Sequence, residues 1–286
     1  YVDLNRAGVP LIEIVTEPDI RSAEEASALL NEIRTLVRHL NVSDGNMEEG
    51  SLRCDANISI RELGSAAFGT RCEVKNLNSM RNVRRAMEFE FNRQIELTEN
   101  GEEIIQSTLN FDADKGTTSP MRTKEEANDY RYFPDPDLQP IVISDDWLSE
   151  IKSAMPVLPR EIVKQLTAAF GINKSEATIL AEDIDLYNYF NLAKSTVKNQ
   201  KSLINWLIGS IRNYLSEQNI AITDFKVSPI QLATVINLVD EKKISQQSAL
   251  QDLIPQLNED VDVLSKAEQL NLLIVEDNDE ILAFIS

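Results

Sequence analysis

The stretch that decides the fold runs from Ser51 to Ile60 and reads SLRCDANISI. Its even positions are apolar and its odd positions are polar without exception, which is the period-two pattern of a strand with one face on a core. The polar positions carry short side chains, one arginine and one aspartate, whereas a solvated sheet face usually carries long Lys and Glu side chains. We therefore predict a strand whose polar face lines a functional cleft, with an ordinary solvated face as the alternative.

The surrounding sequence mixes strand and helix patterns up to about residue 155 and is almost entirely helical afterwards. Further strand-like runs lie at 11–15, 71–75, 104–111 and 140–143. A capping box at Ser22 and a polar turn at Ser79 each predict the start of a helix. We therefore predict an α+β fold, with a mostly antiparallel sheet backed by helices over residues 1–155 and an all-α helical domain over 156–286.

The amino-acid composition excludes several classes of protein and of binding site. The net charge of −19 argues against non-specific nucleic-acid binding through bulk charge, so any RNA contact must be local or supplied by partners. We find no apolar run near the ~18 residues that span a bilayer and no secretory leader pattern, which predicts a cytoplasmic protein without membrane association. The single histidine excludes a Cys/His zinc cluster, and Cys54 and Cys72 are expected to be buried reduced thiols. Because the chain begins without Met inside a strand pattern, we expect a fragment of a longer protein.

Glu13 is a candidate metal ligand. It lies in the apolar run Leu11-Ile12-Glu13-Ile14-Val15, where a carboxylate is costly unless it is paired or binds a cation. Mg²⁺ takes oxygen ligands of this kind. The alternative is a glutamate on the solvated face of an edge strand.

Arg53 and Asp55 are the candidate catalytic residues on the polar face of the 51–60 strand. Asp55 is suited to metal ligation or proton transfer, and an adjacent Arg53 would keep its carboxylate ionised.

Lys75, Asn76, Asn78 and Ser79 form a candidate ATP- or phosphate-binding turn in the segment KNLNS. The segment leaves a strand and enters a helix, whose first N–H groups attract anions. The alternative is a polar turn in which Ser79 caps the helix. A glycine-rich phosphate loop is absent from the sequence, so the chain is not a P-loop ATPase.

Two further segments have functional and plain alternatives. The proline-rich loop Asp129–Leu138 carries clustered Tyr and Arg residues that suit a polar pocket, or else it forms a rigid turn. The densest basic patch of the helical part suits contact with an RNA phosphate backbone, or else it is a solvated helix face. Its members are Lys194, Lys198, Lys201 and Arg212.

These motifs resemble the B subunit of the tRNA-dependent amidotransferase. The resemblance rests on segments 4–15 with Glu17-Pro18-Asp19, 47–57, 75–79 and 129–134, in that order along the chain. It implies a cradle domain that uses ATP and Mg²⁺ to phosphorylate the side-chain carboxylate of misacylated Glu-tRNA(Gln) or Asp-tRNA(Asn). It also implies a heterotrimer, in which the glutaminase A subunit delivers ammonia to the present chain through a channel. The small C subunit then holds the other two together, and the helical domain binds tRNA.

The resemblance also assigns roles to residues and leaves gaps. It makes Glu13 a Mg²⁺ ligand, and it makes Arg53 and Asp55 polar residues of the tunnel or active site. The family's N-terminal segment with its metal-binding His and Glu residues is missing here, so we expect the isolated chain to be inactive. The alternative function is a non-catalytic tRNA-binding or assembly module. An unrelated ATP-grasp-like ligase is disfavoured because the sequence has no glycine-rich lid.

Overall fold

A computed structural model describes residues 8–123, 139–258 and 260–274 of the chain. The chain divides into two compact units, with the boundary between Ile143 and Ser144, and the short segment Arg38–Leu40 groups with the second unit. The proline-rich loop Asp129–Leu138, which the sequence analysis singled out, lies outside the described residues.

The first unit is a four-stranded sheet with helices. Its elements are α1 (Ala23–His39), β1 (Cys54–Ile58), β2 (Cys72–Leu77), α2 (Met80–Glu99), β3 (Ser107–Asp112) and β4 (Thr117–Thr123). The strand order is β1-β2-β3-β4. The pairs β1–β2 and β3–β4 are antiparallel and β2–β3 is parallel, because α2 carries the chain back across the sheet before β3 begins. The α+β prediction is confirmed, but the sheet is mixed where a mostly antiparallel one was expected.

One face of this sheet packs on α2 and forms the core of the unit. The alternation predicted for 51–60 is confirmed: Ala56 and Ile58 are buried in this core, while Asp55 and Asn57 are exposed. We call the opposite side the polar face, after the residues that β1, β2 and β3 place there. These are Asp55, Asn57, Glu73, Lys75, Thr108 and Asn110.

Two predicted strands are wrong. Residues 11–15 form no regular element, and the apolar side chains there are 58–81% exposed. Residues 140–143 are likewise irregular, with Ile141 and Val142 at least 80% exposed. A strand needs a hydrogen-bonded neighbour, and neither segment has one among the described residues.

Strand β4 was missed by the sequence analysis. It contains Pro120 and a run of Thr and Ser that shows no period-two pattern. It forms because a turn at Gly116, with φ of 70°, folds it back on β3. As the last strand in the sheet order, it tolerates a proline that a central strand would exclude.

Every regular element described in the second unit is helical, as predicted. The α-helices are α3 (Asp145–Ala154), α4 (Pro159–Phe170), α5 (Lys174–Glu182), α6 (Ile184–Ala193), α7 (Gln200–Trp206), α8 (Arg212–Gln218), α9 (Pro229–Asp240), α10 (Gln246–Ser248) and α11 (Val263–Gln269). A π-helical turn, Leu207–Ile211, joins α7 to α8. Phe190, Leu203, Leu207 and Leu232 are fully or almost fully buried in the core of this unit. Of the helices that the structure describes, none is long and apolar enough to cross a membrane.

Candidate functional site

The centre of the polar face is an ion-pair cluster around Lys75. Its Nζ lies 2.5 Å from Oδ2 of Asp55 and 3.4 Å from Oε1 of Glu73. Between the pairs Cys54–Leu77 and Ala56–Val74 the register shifts by one residue, because β2 bulges there and places both Lys75 and Asn76 opposite Asp55. The antiparallel pairing thereby brings together two charges that are 20 residues apart in the sequence.

Thr108 on β3 completes the cluster. Its hydroxyl donates a hydrogen bond of 3.1 Å to Oε2 of Glu73, and the two residues are register partners in the parallel pair. Thr108 is 1% exposed, and the Glu73 side chain is 16% exposed. We call Asp55, Glu73, Lys75 and Thr108 the Lys75 cluster.

Glu73 and Thr108 were not among the predicted site residues. A signal for Glu73 was present, because Glu73 and Lys75 are two apart on one strand and therefore share a face. Thr108 carried no comparable signal, since its place depends on which strand lies beside β2.

Lys75 is held in its charged form. Partial burial by itself would lower the pKa of its ammonium group. The hydrogen bond that Lys75 donates to Asp55 and the negative charge of that carboxylate, with a further contribution from Glu73, outweigh burial and raise the pKa above its ordinary value. The cluster therefore presents a cation at neutral pH.

The cation beside Asp55 differs from the expected one. The sequence pattern predicted Arg53 as the partner of Asp55, but Asp55 pairs with Lys75, and Arg53 is exposed just before β1 begins. Residues two apart along a strand are separated by roughly 6.6 Å, whereas directly opposed cross-strand residues are about 4.5–5.5 Å apart. The cross-strand lysine is therefore the nearer partner.

The turn after Lys75 uses its polar side chains internally. Asn76 has a positive φ of 67°, and its side-chain amide donates 3.2 Å to the carbonyl of Phe111. Ser79 caps α2 by accepting from the backbone N–H of Asn82, and Asn78 accepts 2.6 Å from the side chain of the same residue. Phosphate binding by Asn76, Asn78 and Ser79 stays a prediction, and these contacts show that the plain alternative, a capped turn, is also realised.

Glu13 lies in the irregular, exposed segment 11–15 and not in a strand. Within the described ranges, no three His, Cys, Asp or Glu residues are grouped so that they could hold a metal ion. These residues therefore do not complete a Mg²⁺ site by themselves, and ligation by Glu13 stays a prediction.

A buried polar network on the opposite side of the sheet was also missed. Glu90 and Gln94 on α2 are completely buried. The Glu90 carboxylate accepts from Arg93 at 2.7 and 2.8 Å, from Gln94 at 2.8 Å and from the Thr118 hydroxyl at 3.1 Å. Gln94 also donates 3.1 Å to the carbonyl of Ile58, so the network ties α2 to both outer strands.

Val83, Met87, Phe91 and Ile95 recur at helical spacing along α2, and this pattern by itself predicts that they share one buried face. Val83 is buried as expected, but Phe91 is 51% exposed. The buried stripe runs on from Val83 through Ala86 to the two polar residues Glu90 and Gln94. The helix is therefore rotated about its axis relative to the prediction.

The four basic residues of the helical unit do not form one patch of unpaired cations. Lys198 forms an ion pair with Glu241, which also lies 2.8 Å from Lys243. These two lysines lower the pKa of Glu241 to about 2. Lys194 donates to the side chain of Asn191 at 2.7 Å.

Lys201 and Arg212 differ from Lys198. Both are exposed, and neither forms an ion pair with any residue that the structure describes. They are 11 residues apart along the continuous α7–π–α8 helix, or roughly 16 Å along its axis. Contact with RNA therefore stays a prediction for all four residues, with Lys201 and Arg212 the more available ones.

Comparison with known proteins gives two family matches. Residues 1–149 match the profile of the GatB/GatE catalytic domain, and residues 188–286 match the GatB domain. The Lys75 cluster lies within the first match, and the four basic residues lie within the second.

Individual relatives agree with these matches. The chain is 48% identical over 244 residues to a protein of Trichlorobacter lovleyi, which covers 85% of this chain and 51% of that protein. It is 46% identical over 249 residues to one of Thermodesulfovibrio yellowstonii, covering 87% and 52%. A relative from Chlorobium chlorochromatii is 44% identical over 278 residues, covering 97% and 58%.

All three proteins are named as the B subunit of aspartyl/glutamyl-tRNA(Asn/Gln) amidotransferase. The chain spans just over half the length of these curated relatives. Because the catalytic-domain profile covers more than half of the 286 residues, and the relatives agree with it, the chain belongs to the GatB/GatE family of tRNA amidotransferase B subunits.

Proposed function

We propose that the protein to which this chain belongs activates the side-chain carboxylate of Glu-tRNA(Gln) or Asp-tRNA(Asn) with ATP and amidates it with ammonia. The observation that carries the proposal is the Lys75 cluster, a charged lysine held by two carboxylates on the polar face of the sheet. It lies in the part of the chain that matches the catalytic domain of the family.

The reaction has two steps. A carboxylate oxygen of the aminoacyl group attacks the γ-phosphorus of ATP, and ADP leaves. Ammonia then attacks the carbonyl carbon of the acyl phosphate, inorganic phosphate leaves, and the nitrogen loses a proton. The nucleophile of the first step is already an anion, so this step needs neutralisation of charge more than it needs a general base.

Lys75 and its neighbours suit these needs. An ammonium group has three N–H donors, and Asp55 and Glu73 account for two of them. The third is free in this proposal to contact a phosphate oxygen. In this proposal Asp55, whose side chain is 46% exposed, accepts the proton that the amine loses. Arg53 supplies a second positive charge at the edge of the same face.

Glu13 is the residue that we propose as a ligand of Mg²⁺. The described residues do not complete a site for it, so the remaining oxygen ligands must come from elsewhere in the protein. None of the reaction steps given above is attributed to the metal.

The proposed partners are the misacylated tRNA, the glutaminase A subunit, and the small C subunit. Asn57 and Asn110, with the Lys75 cluster between them, make the polar face a suitable wall for an ammonia passage. In the helical unit, Lys201 and Arg212 are the proposed phosphate contacts. Lys198 could contact RNA only after its ion pair with Glu241 breaks.

The test uses the full-length protein assembled with its partner subunits. Lys75→Met removes the charge but keeps the length of the side chain, and we expect Glu-tRNA-dependent ADP release to fall by about 10²–10³. Lys115→Met is the matched control, because Lys115 is a 78% exposed lysine that pairs with Asp112 outside the cluster. Normal ADP release by Lys75→Met would refute the assignment.

The alternative, a non-catalytic tRNA-binding or assembly module, predicts a different result in the same assay. The unsubstituted complex would then bind Glu-tRNA without releasing ADP from ATP in response to it.

A further inference from the structure

We infer that Glu73, fixed in place by Thr108, is the positioning residue that sets the Lys75 ammonium group in its reactive place. The inference rests on the proposed function, since it concerns the same lysine. It adds two residues that the motifs of the sequence do not indicate.

A lysine at a phosphoryl-transfer site needs to be held. Its four-carbon side chain has many accessible rotamers, and its point charge, unlike the guanidinium fork of arginine, does not fix its own orientation. Placement within a fraction of an ångström matters for catalysis, because a misplacement of about 1 Å can lower the rate by about 10². Some neighbouring group must therefore restrict Lys75.

Asp55 is poorly suited to that task. It makes the shorter contact, 2.5 Å, but its side chain is 46% exposed and its backbone lies opposite the bulge of β2, where ladder hydrogen bonding is interrupted. No other hydrogen bond of the Asp55 carboxylate is found among the residues that the structure describes.

Glu73 has the features that Asp55 lacks. Its side chain is 16% exposed, and it lies in the regular part of β2, paired on both sides with Asn57 and Thr108. One carboxylate oxygen contacts Lys75 at 3.4 Å, while the other accepts the Thr108 hydroxyl at 3.1 Å. Thr108, at 1% exposure, is itself held by strands on both sides.

These contacts form a continuous series from the buried Thr108 to the ammonium group of Lys75. Thr108 orients the Glu73 carboxylate, and Glu73 restricts the ammonium group. Asp55, whose side chain is 46% exposed, is left to exchange protons. The carboxylate that positions the Lys75 ammonium group is therefore a different one from the carboxylate that accepts the proton.

The experiment compares two substitutions of one side chain in the assembled full-length enzyme. Thr108→Val keeps the shape and removes the hydroxyl, whereas Thr108→Ser keeps the hydroxyl. We expect Thr108→Val to lower kcat for amide formation by about 10-fold with little change in the KM for tRNA, and Thr108→Ser to restore most of it. Equal rates for the two variants would overturn the inference.

Glu73→Gln gives a second, independent readout. Asp55 and Glu73 are the charged groups that face Lys75 among the described residues, and removing one of them lowers the pKa of the ammonium group. We expect the alkaline limb of the kcat/KM profile to move to lower pH, which a purely structural role of Glu73 would not cause. An unmoved limb, or an equal movement in the control Glu88→Gln, would overturn the inference.

Double substitution separates this inference from the function on which it rests. If Glu73 acts through Lys75, Glu73→Gln should cost no further activity in a Lys75→Met background, measured by single turnover at high enzyme concentration. Additive losses would assign Glu73 a role of its own, which overturns the inference while leaving the proposed function intact. Full activity of Lys75→Met alone would instead refute the proposed function.

Discussion

The buried carboxylate of Glu90 offers a direct test of what holds α2 on the sheet. Its two oxygens receive four hydrogen bonds, two of them from the guanidinium of Arg93, whose Nε and Nη2 each bond a different oxygen. Glu90→Gln replaces one oxygen by an NH₂ group. One of the two Arg93 donors then faces another donor, whichever way the new amide is turned.

The expected loss follows from these contacts. A hydrogen bond to a charged group contributes about 1.5–3 kcal/mol net, and the substitution removes one such bond and weakens the others. The Arg93 side chain is 30% exposed, so water replaces part of what it loses, and Thr118 can turn its hydroxyl to accept. We therefore expect a loss of about 2 kcal/mol in the stability of the first unit.

Hydrogen exchange measures this loss locally, which matters in a chain of two units where a single unfolding transition is not assured. Peptides that cover α2 and β3 should exchange about 30-fold faster in Glu90→Gln, since about 1.4 kcal/mol corresponds to a factor of ten. Glu88→Gln is the matched control on the same helix. Its carboxylate is 45% exposed and pairs with Arg84 at 2.8 Å, so we expect less than about a threefold change.

Equal exchange rates in the two variants would contradict the contribution assigned to the Glu90 carboxylate. Slower exchange in Glu90→Gln would also contradict it, because the desolvation of the buried carboxylate would then exceed the gain from its partners. Faster exchange confined to the helical unit would show that the substitution acts somewhere other than on the sheet.

Two further predictions concern single side chains. Burial, with a smaller contribution from the charge of Asp55, raises the pKa of the Cys54 thiol to about 11. Alkylation of Cys54 by iodoacetamide at about pH 8, followed by mass spectrometry, should therefore be much slower than alkylation of a free cysteine. The rate should increase only as the pH approaches the pKa of the thiol. In the full-length complex, Lys201→Ala should reduce the magnitude of the slope of log tRNA affinity against log salt concentration by about 0.7–0.9. Lys198→Ala should change this slope less, because Glu241 already neutralises that lysine. Equal slopes for the two variants would contradict the prediction.

The sequence predicted elements well where local pattern and burial agree. The alternation along 51–60 placed Ala56 and Ile58 in the core because period two and hydropathy pointed to the same face. The start of α2 was predicted correctly at Ser79, since helix capping depends only on neighbouring residues. These features depend on contacts within a few positions of the chain.

The sequence failed where distant residues decide the outcome. Glu90 and Gln94 are polar residues on a helix, yet both are buried. Arg93 and Thr118 donate to the Glu90 carboxylate, and the carbonyl of Ile58 accepts from the Gln94 amide group. A hydropathy pattern cannot register partners that other strands supply.

The same limit changes the chemistry of the candidate site. Arg53 and Asp55 share one strand face in the sequence pattern, and a site built on them would carry a guanidinium that stays charged at any working pH. The β1–β2 register instead places Lys75 beside Asp55, and a lysine can lose its proton. A lysine site must lose activity as pH rises through the raised pKa of that group, whereas an arginine site has no such limb. The alkaline side of the pH–rate profile of the assembled enzyme, compared with that of Lys75→Arg, therefore decides which cation the reaction uses.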